Sequence, residues 1–342
     1  MKDFINAIKL EFIPAKNKNN PLNRLLYIDI LKILAAFLTV FYHLAYYKLD
    51  YGFVQGQVYT PNINRIVMCL SACCVPLFFL VNGALLLKAE RSIRSVYIKI
   101  IKIALLLLIW SWSGFPSWFF KTLCILYLLF PIFRWIIKNK KLHYTACIVV
   151  FLFPFLYNFA VFLVAFFGVT DFLLFGIKIP ISILERTGVF TMYGVLYFLL
   201  GPILKNAKRT PLAMDISLII SGLALVVWEC VGYTNVQNQM FDGVNAAFPT
   251  VGALFLSVGL FLLIKKGSYN KIVKIISLLS SGVLAIYLTH SLFIKWFYMI
   301  VGNELKISLI LSLAITLLIC VIAAAIGKIA SRIPILCWFF KI

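Results

Sequence analysis

What this chain can fold into is decided by its apolar runs. Ten stretches, near 25–47, 63–87, 97–114, 117–137, 144–168, 188–204, 212–232, 246–264, 277–299 and 306–327, are predominantly apolar and 17 to 25 residues long. A helix rises about 1.5 Å per residue, so runs of this length suit a hydrocarbon layer about 30 Å thick. Backbone N–H and C=O groups must be satisfied within the segment in lipid, and a helix does this. The expectation is an all-α polytopic integral membrane bundle of about ten transmembrane helices.

Composition excludes the other classes. At 63% hydrophobic residues and a mean hydropathy of +1.02, the chain lies far outside the soluble globular range. A net charge of +21 would suggest a nucleic-acid partner in a soluble domain, but here the basic residues sit in short clusters between apolar runs. That is the pattern of membrane loops, so nucleic acid is excluded as a partner and membrane lipid takes its place. The eight cysteines lie mostly inside apolar runs, and neither a zinc-binding cluster nor a disulfide framework is expected. Cys73 and Cys74 are read as packing residues. The first apolar run begins near Leu25 and is long enough to span, so no cleaved signal peptide is expected.

Twenty-four of the 32 lysines and arginines fall in the first 24 residues, in alternate connections or beside them, and in the C-terminal tail. The positive-inside rule then places both termini in the cytoplasm. Three divisions follow: a basic cytoplasmic tail over 1–24, a single transmembrane domain over 25–330 and a short cytoplasmic tail over 331–342. Within the first tail, Phe4, Ile5, Ile8 and Phe12 recur at helical spacing, as in a short interfacial helix ending before Pro14. The outer connections differ in kind. Residues 48–62 carry Asp50, Gln55, Gln57 and several tyrosines, residues 169–187 carry Asp171, Glu185 and Arg186, and residues 233–245 are rich in Asn and Gln. Such side chains suit sugar hydroxyls better than lipid tails.

The first apolar run also carries chemistry: Asp29, Lys32 and His43 lie in an otherwise membrane-compatible stretch. Eleven steps of 100° bring Lys32 and His43 to within about 20° of one another around a helix, roughly 16 Å apart along its axis. Ala36 and Thr39 fill the stripe between them, and Asp29 stands one turn before Lys32 as an i,i+3 partner. Ionisable groups at membrane depth are costly, so this stripe is a candidate functional site facing the bundle interior. A neutral imidazole is a competent general base at neutral pH, which singles out His43.

Six motifs then carry a resemblance. Asp-x-x-Lys, ten residues and His (Asp29, Lys32, His43) resembles the first helix of the membrane acyltransferase-3 family, polytopic O-acyltransferases of cell-surface glycans. Pro76-Leu-Phe-Phe-Leu-Val-Asn82-Gly83 resembles its second-helix motif, with Asn82 where Ser is usual. Arg91 and Arg94 follow as the Arg-x-x-Arg pair that the family links to its acyl-CoA donor, and guanidinium forks suit phosphate oxygens. Trp118-Phe-Phe through Tyr127 to Pro131, together with Tyr197-Phe-Leu-Leu-Gly201, resembles two further helices, and Ile286-Tyr-Leu-Thr-His290 a late one.

The resemblance implies an O-acetyltransferase that takes an acyl group from cytosolic acetyl-CoA, a substrate rather than a permanently bound cofactor. The acceptor would be a hydroxyl of a cell-surface polysaccharide, cell-wall glycan or lipid-linked saccharide, and the setting a bacterial inner or plasma membrane. His43, Asp29 and Lys32 are then the catalytic set, Arg91, Arg94 and Lys32 the donor-binding set, and His290, Asn82 and Thr39 line the cavity. No metal is expected. A polytopic secondary transporter or glycan exporter is the alternative, although no internal repeat of the kind such folds carry is evident. A non-catalytic scaffold of a glycan-assembly complex is a third reading. Outside this scheme, His143 is read as a solvated surface residue among lysines, and Lys121 as a side chain snorkelling to the interface.

Overall fold

The computed structural model describes residues 25–87, 92–110, 118–167, 171–174, 177–180, 192–244, 248–269, 272–302 and 305–333. The two expected tails (save residues 331–333), Arg91 and much of the 169–187 connection lie outside these residues. Helices occupy all ten expected stretches. They are α1 (Leu26–Lys48), α2 (Ile63–Cys69), α3 (Cys74–Leu86), α4 (Ile93–Trp110), α5 (Trp118–Leu128), α6 (Phe130–Lys138), α7 (Lys140–Val150) and α8 (Tyr157–Phe166). After a hairpin of β1 (Asp171–Leu174) and β2 (Ile177–Pro180) come α9 (Met192–Asn206), α10 (Leu212–Gln237), α11 (Val251–Lys266), α12 (Val273–Ser281), α13 (Val283–Val301) and α14 (Leu309–Ala330).

Six of these units are long and apolar enough to cross a membrane: Leu26–Lys48, Ile63–Leu86, Lys140–Val164, Leu212–Gln237, Val283–Val301 and Leu309–Ala330. Among the described residues a seventh is reached if α5 and α6, bent by 55° at Leu129, count as one span. Local chemistry explains several boundaries. Pro131 sits at the start of α6, where its missing N–H costs nothing and its ring disfavours a straight continuation from α5. The run expected from 246 starts its helix only at Val251, because Pro249 precedes it and the Thr250 hydroxyl caps it by accepting from Ala253 N at 3.3 Å. Between α7 and α8 the chain passes through a π-helical stretch, Phe151–Leu156, around Pro154. The antiparallel hairpin, with Leu174 opposite Ile177, is the departure from an all-α chain.

The first run becomes the hub of the bundle. Helix α1 packs against α2, α3, α11, α12, α13 and α14, and Leu31, Ala35, Val40, Leu44 and Ala45 along it are fully buried. Close approach of α3 to α9 depends on two glycines. A Cβ on Gly83 would lie 1.9 Å from the Phe198 carbonyl oxygen, and one on Gly201 would lie 2.2 Å from that of Leu80. Small residues at such crossings let backbones touch, the source of packing energy where lipid competes equally for apolar side chains.

Candidate active site

His43 lies in the last third of α1, half-buried, with Tyr42 on one side and His290 on the other. The imidazoles of His43 and His290 have centroids 5.2 Å apart and planes inclined by 33°. His290 comes from α13, and packing of α13 on α1 makes the pair. It is fully buried. Its Nδ1 is 3.1 Å from the Ile286 carbonyl oxygen. A carbonyl only accepts, so Nδ1 carries the proton and Nε2 keeps a bare lone pair. That Nε2 is buried with no hydrogen-bond partner among the described residues. Native interiors rarely leave such an atom without a partner.

An aromatic cluster borders His290. The Tyr287 ring is 5.8 Å from His290 and stands edge-on to Phe78 at 6.1 Å and to Phe120 at 5.2 Å, while Phe119 lies 5.1 Å away. Trp110 Nε1 closes one edge by donating to the Leu288 carbonyl at 2.9 Å. Phe78 comes from the Pro-Leu-Phe-Phe stretch, Phe119 and Phe120 from the Trp-Phe-Phe stretch, and Tyr287 and His290 from the late motif. Segments far apart in sequence therefore converge on Tyr287, which borders His290 and through it His43. On its other flank Tyr42 donates from its hydroxyl to Asp242 Oδ2 at 2.6 Å. Tyr298 fixes the backbone at this point: its hydroxyl is 3.0 Å from the His43 carbonyl oxygen and 2.9 Å from that of Leu44.

The stripe below His43 is also ordered. Thr39 is buried and donates to the Ala35 carbonyl at 2.9 Å. Asp29, 5% exposed, lies 3.8 Å from Lys32 Nζ and accepts from Ser280 Oγ at 2.5 Å. Buried carboxylates persist when charged and hydrogen-bonded partners surround them, and Asp29 has both kinds. Asn82 bonds within the bundle. Its Nδ2 donates to the Phe78 carbonyl at 2.8 Å and its Oδ1 accepts from Tyr127 OH at 2.9 Å, tying α3 to α5. Arg94 is exposed in the first turn of α4.

Comparison with known proteins now bears on the site. The family model for the acyltransferase domain Acyl_transf_3 matches residues 25–115 and 112–326. The chain belongs to the acyltransferase-3 family. No curated protein and no solved structure matches it. With its apolar helices, acyltransferase-3 membership makes this a multi-pass membrane acyltransferase.

One reading changes in the fold, and other residues show roles that the sequence did not reveal. His143 is not a solvated residue: it is 8% exposed, and its Nε2 lies 2.8 Å from the Leu199 carbonyl oxygen. The lysines beside it in sequence point outward, while packing of α7 on α9 turns the histidine inward. Two amides of the polar 233–245 connection are taken up by the protein itself. Asn235 holds Tyr59, accepting from its N at 2.6 Å and donating to its O at 3.2 Å, and Asn238 accepts from Gly56 N at 2.7 Å. Finally, Arg65 is a buried cation that sequence patterning did not single out. It bonds Cys230 Sγ and the Phe241 carbonyl and lies 5.4 Å from the centre of the Tyr51 ring. Tyr42 and Asp242 were also missed, because neither residue stands out until the 233–245 connection folds over α1.

Proposed function

We propose that this membrane acyltransferase is an O-acetyltransferase that takes acetyl from cytosolic acetyl-CoA and esterifies a hydroxyl of a cell-surface polysaccharide or lipid-linked glycan. The observation that carries the reading is the His43–His290 pair, set where the acyltransferase-3 motifs converge. His43 is the partly exposed member of the pair and so the one a substrate reaches. As the acceptor hydroxyl attacks the thioester carbonyl, His43 takes the hydroxyl proton. The tetrahedral intermediate collapses, the carbon–sulfur bond breaks and the thiolate leaves, taking up a proton. His290 offers its Nε2 lone pair beside the ring that becomes positive, and Asp29 and Lys32 hold the lower part of the stripe in register. Arg91 and Arg94 bind donor phosphates.

The same reading fixes the setting. Ten passes, with residues 1–24 and 331–342 in the cytoplasm and 25–330 forming one transmembrane domain, put the basic connections on the donor side and His43 toward the acceptor side of a bacterial inner or plasma membrane. The bias of lysine and arginine toward alternate connections supports this orientation. Two experiments test the proposal together. Purified protein in lipid nanodiscs, given acetyl-CoA, should release CoA at a rate that rises on adding the host's surface glycan. A deletion strain should lose O-acetyl esters from that glycan by NMR. Unchanged esters together with no acceptor-dependent CoA release would overturn the reading.

A further inference from the structure

Away from the histidine pair, a cleft of about 720 Å³ opens between α6, α7, α9 and the end of α3. Its walls include Arg134, Lys138, Lys140, His143, Tyr144 and Asn206, and among the described residues no carboxylate lines it. Volumes of this size are typical of small-ligand sites. Three features make it a site for anions. Arg134 and Lys138 are four residues apart on α6 and so share one face, which the bend at Leu129 swings away from the line of α5. The first turn of α7 contributes Lys140, His143 and Tyr144, so the positive end of an eleven-residue helix lies at the cleft. The opposing end of α9 would present carbonyl oxygens there, but Lys265 from α11 takes two of them, those of Leu204 at 2.8 Å and Ala207 at 2.7 Å. Lys205 of α9 is held by the Ala84 carbonyl at 3.1 Å. The floor is firm, because His143 is buried and bonded to Leu199.

We infer that this cleft binds a phosphate ester, with Lys138 and Lys140 as its exposed cationic contacts. The residues belong to the connections 138–141 and 205–209, which the charge bias puts on the cytoplasmic side. Two sources of that chemistry reach the position: the nucleotide end of the acyl donor, and the headgroup of an anionic phospholipid. The nucleotide source rests on the donor reading above. Phosphate-ester binding itself does not, so it can stand or fall independently of acetyl transfer.

The test uses the full chain in phosphatidylcholine nanodiscs. Adenosine 3′,5′-bisphosphate, a stand-in for the nucleotide end of the donor, is titrated calorimetrically. Retention of phosphatidylglycerol is measured in parallel by native mass spectrometry after lipid exchange. The variant is Lys138→Gln with Lys140→Gln, two exposed positions whose change should leave the fold intact, and the control is the matching double change to Arg. Losing charge-assisted contacts to phosphate should weaken the bound probe about tenfold or more in the Gln variant. The Arg variant should restore binding, and the wild-type affinity should fall with added salt. Loss confined to the bisphosphate assigns the cleft to the nucleotide, and loss confined to phosphatidylglycerol assigns it to lipid. If neither probe distinguishes wild type from the Gln variant, the inference is overturned, whether or not the wild type still turns over acetyl-CoA.

Discussion

Two neutral imidazoles can divide the work of one proton transfer when only one of them is reachable. His43 is partly exposed and His290 is fully buried with its Nδ1–H committed to Ile286, so their roles are unequal by geometry. Alanine at His43 should lower the acyl-transfer rate of the purified enzyme by about 10²- to 10⁴-fold, the range for losing a general base. The variant should still accumulate in the membrane, and donor affinity measured calorimetrically should hold, because Lys32 lies about 16 Å away along the helix. Alanine at His290 removes a neighbour of the base rather than the base. It should cost less than the His43 change, with the variant accumulating in the membrane like the wild type. A His43→Ala enzyme that esterifies at the wild-type rate would remove His43 from the mechanism without touching the family assignment.

At the scale of elements, the α3–α9 crossing is where a single atom should matter most. Gly83 and Gly201 face the partner backbone so closely that any side chain must push the helices apart. Overpacking a tight contact costs about 1–3 kcal/mol. Gly83→Val should therefore lower the melting temperature in detergent by several degrees and displace Phe78 and Phe79, which share α3. A Gly→Val change at Gly302, where a Cβ would meet nothing within 4 Å, provides a contrast, since its cost comes from a φ of +83° rather than from packing. If Gly83→Val melts like wild type, the crossing is looser than described. The same crossing explains the inward turn of His143: α9 is clamped by α3 on one face and receives α7 on another.

For the whole molecule, the proposed orientation rests on the distribution of charge. Some of the cations at the basic end also staple the bundle together. Lys265 binds the end of α9, and Lys266 pairs with the buried Asp215, whose other oxygen accepts from Thr210 Oγ1 at 2.6 Å. At the far end Lys48 is fully buried, bonded to the Gly302 carbonyl and 4.7 Å from the centre of the Tyr298 ring. Single cysteines placed in residues 52–60, in a background without native cysteines, should react with an impermeant thiol reagent on intact cells. Cysteines placed in 138–141 should react only after the cells are opened. The reverse pattern would invert the bundle and put the histidine pair on the donor side.

The membrane class, the helical stretches, the family and the Asp29–Lys32–His43 stripe were legible in the sequence, because hydropathy, the 3.6-residue period and the order of motifs are local properties. The same locality explains the misreading of His143. The lysines next to it in the chain suggest a solvated residue, yet it is held by a backbone group from a distant segment. Nothing local says that α13 will lay His290 against His43, that Phe78 and Phe119 will pack on Tyr287 beside His290, or that Asp242 will reach Tyr42. Those meetings depend on which faces of α1 are covered by which helices. Side-chain volumes and the glycine crossings of the assembled bundle set that arrangement, and they act together only once the whole chain is packed.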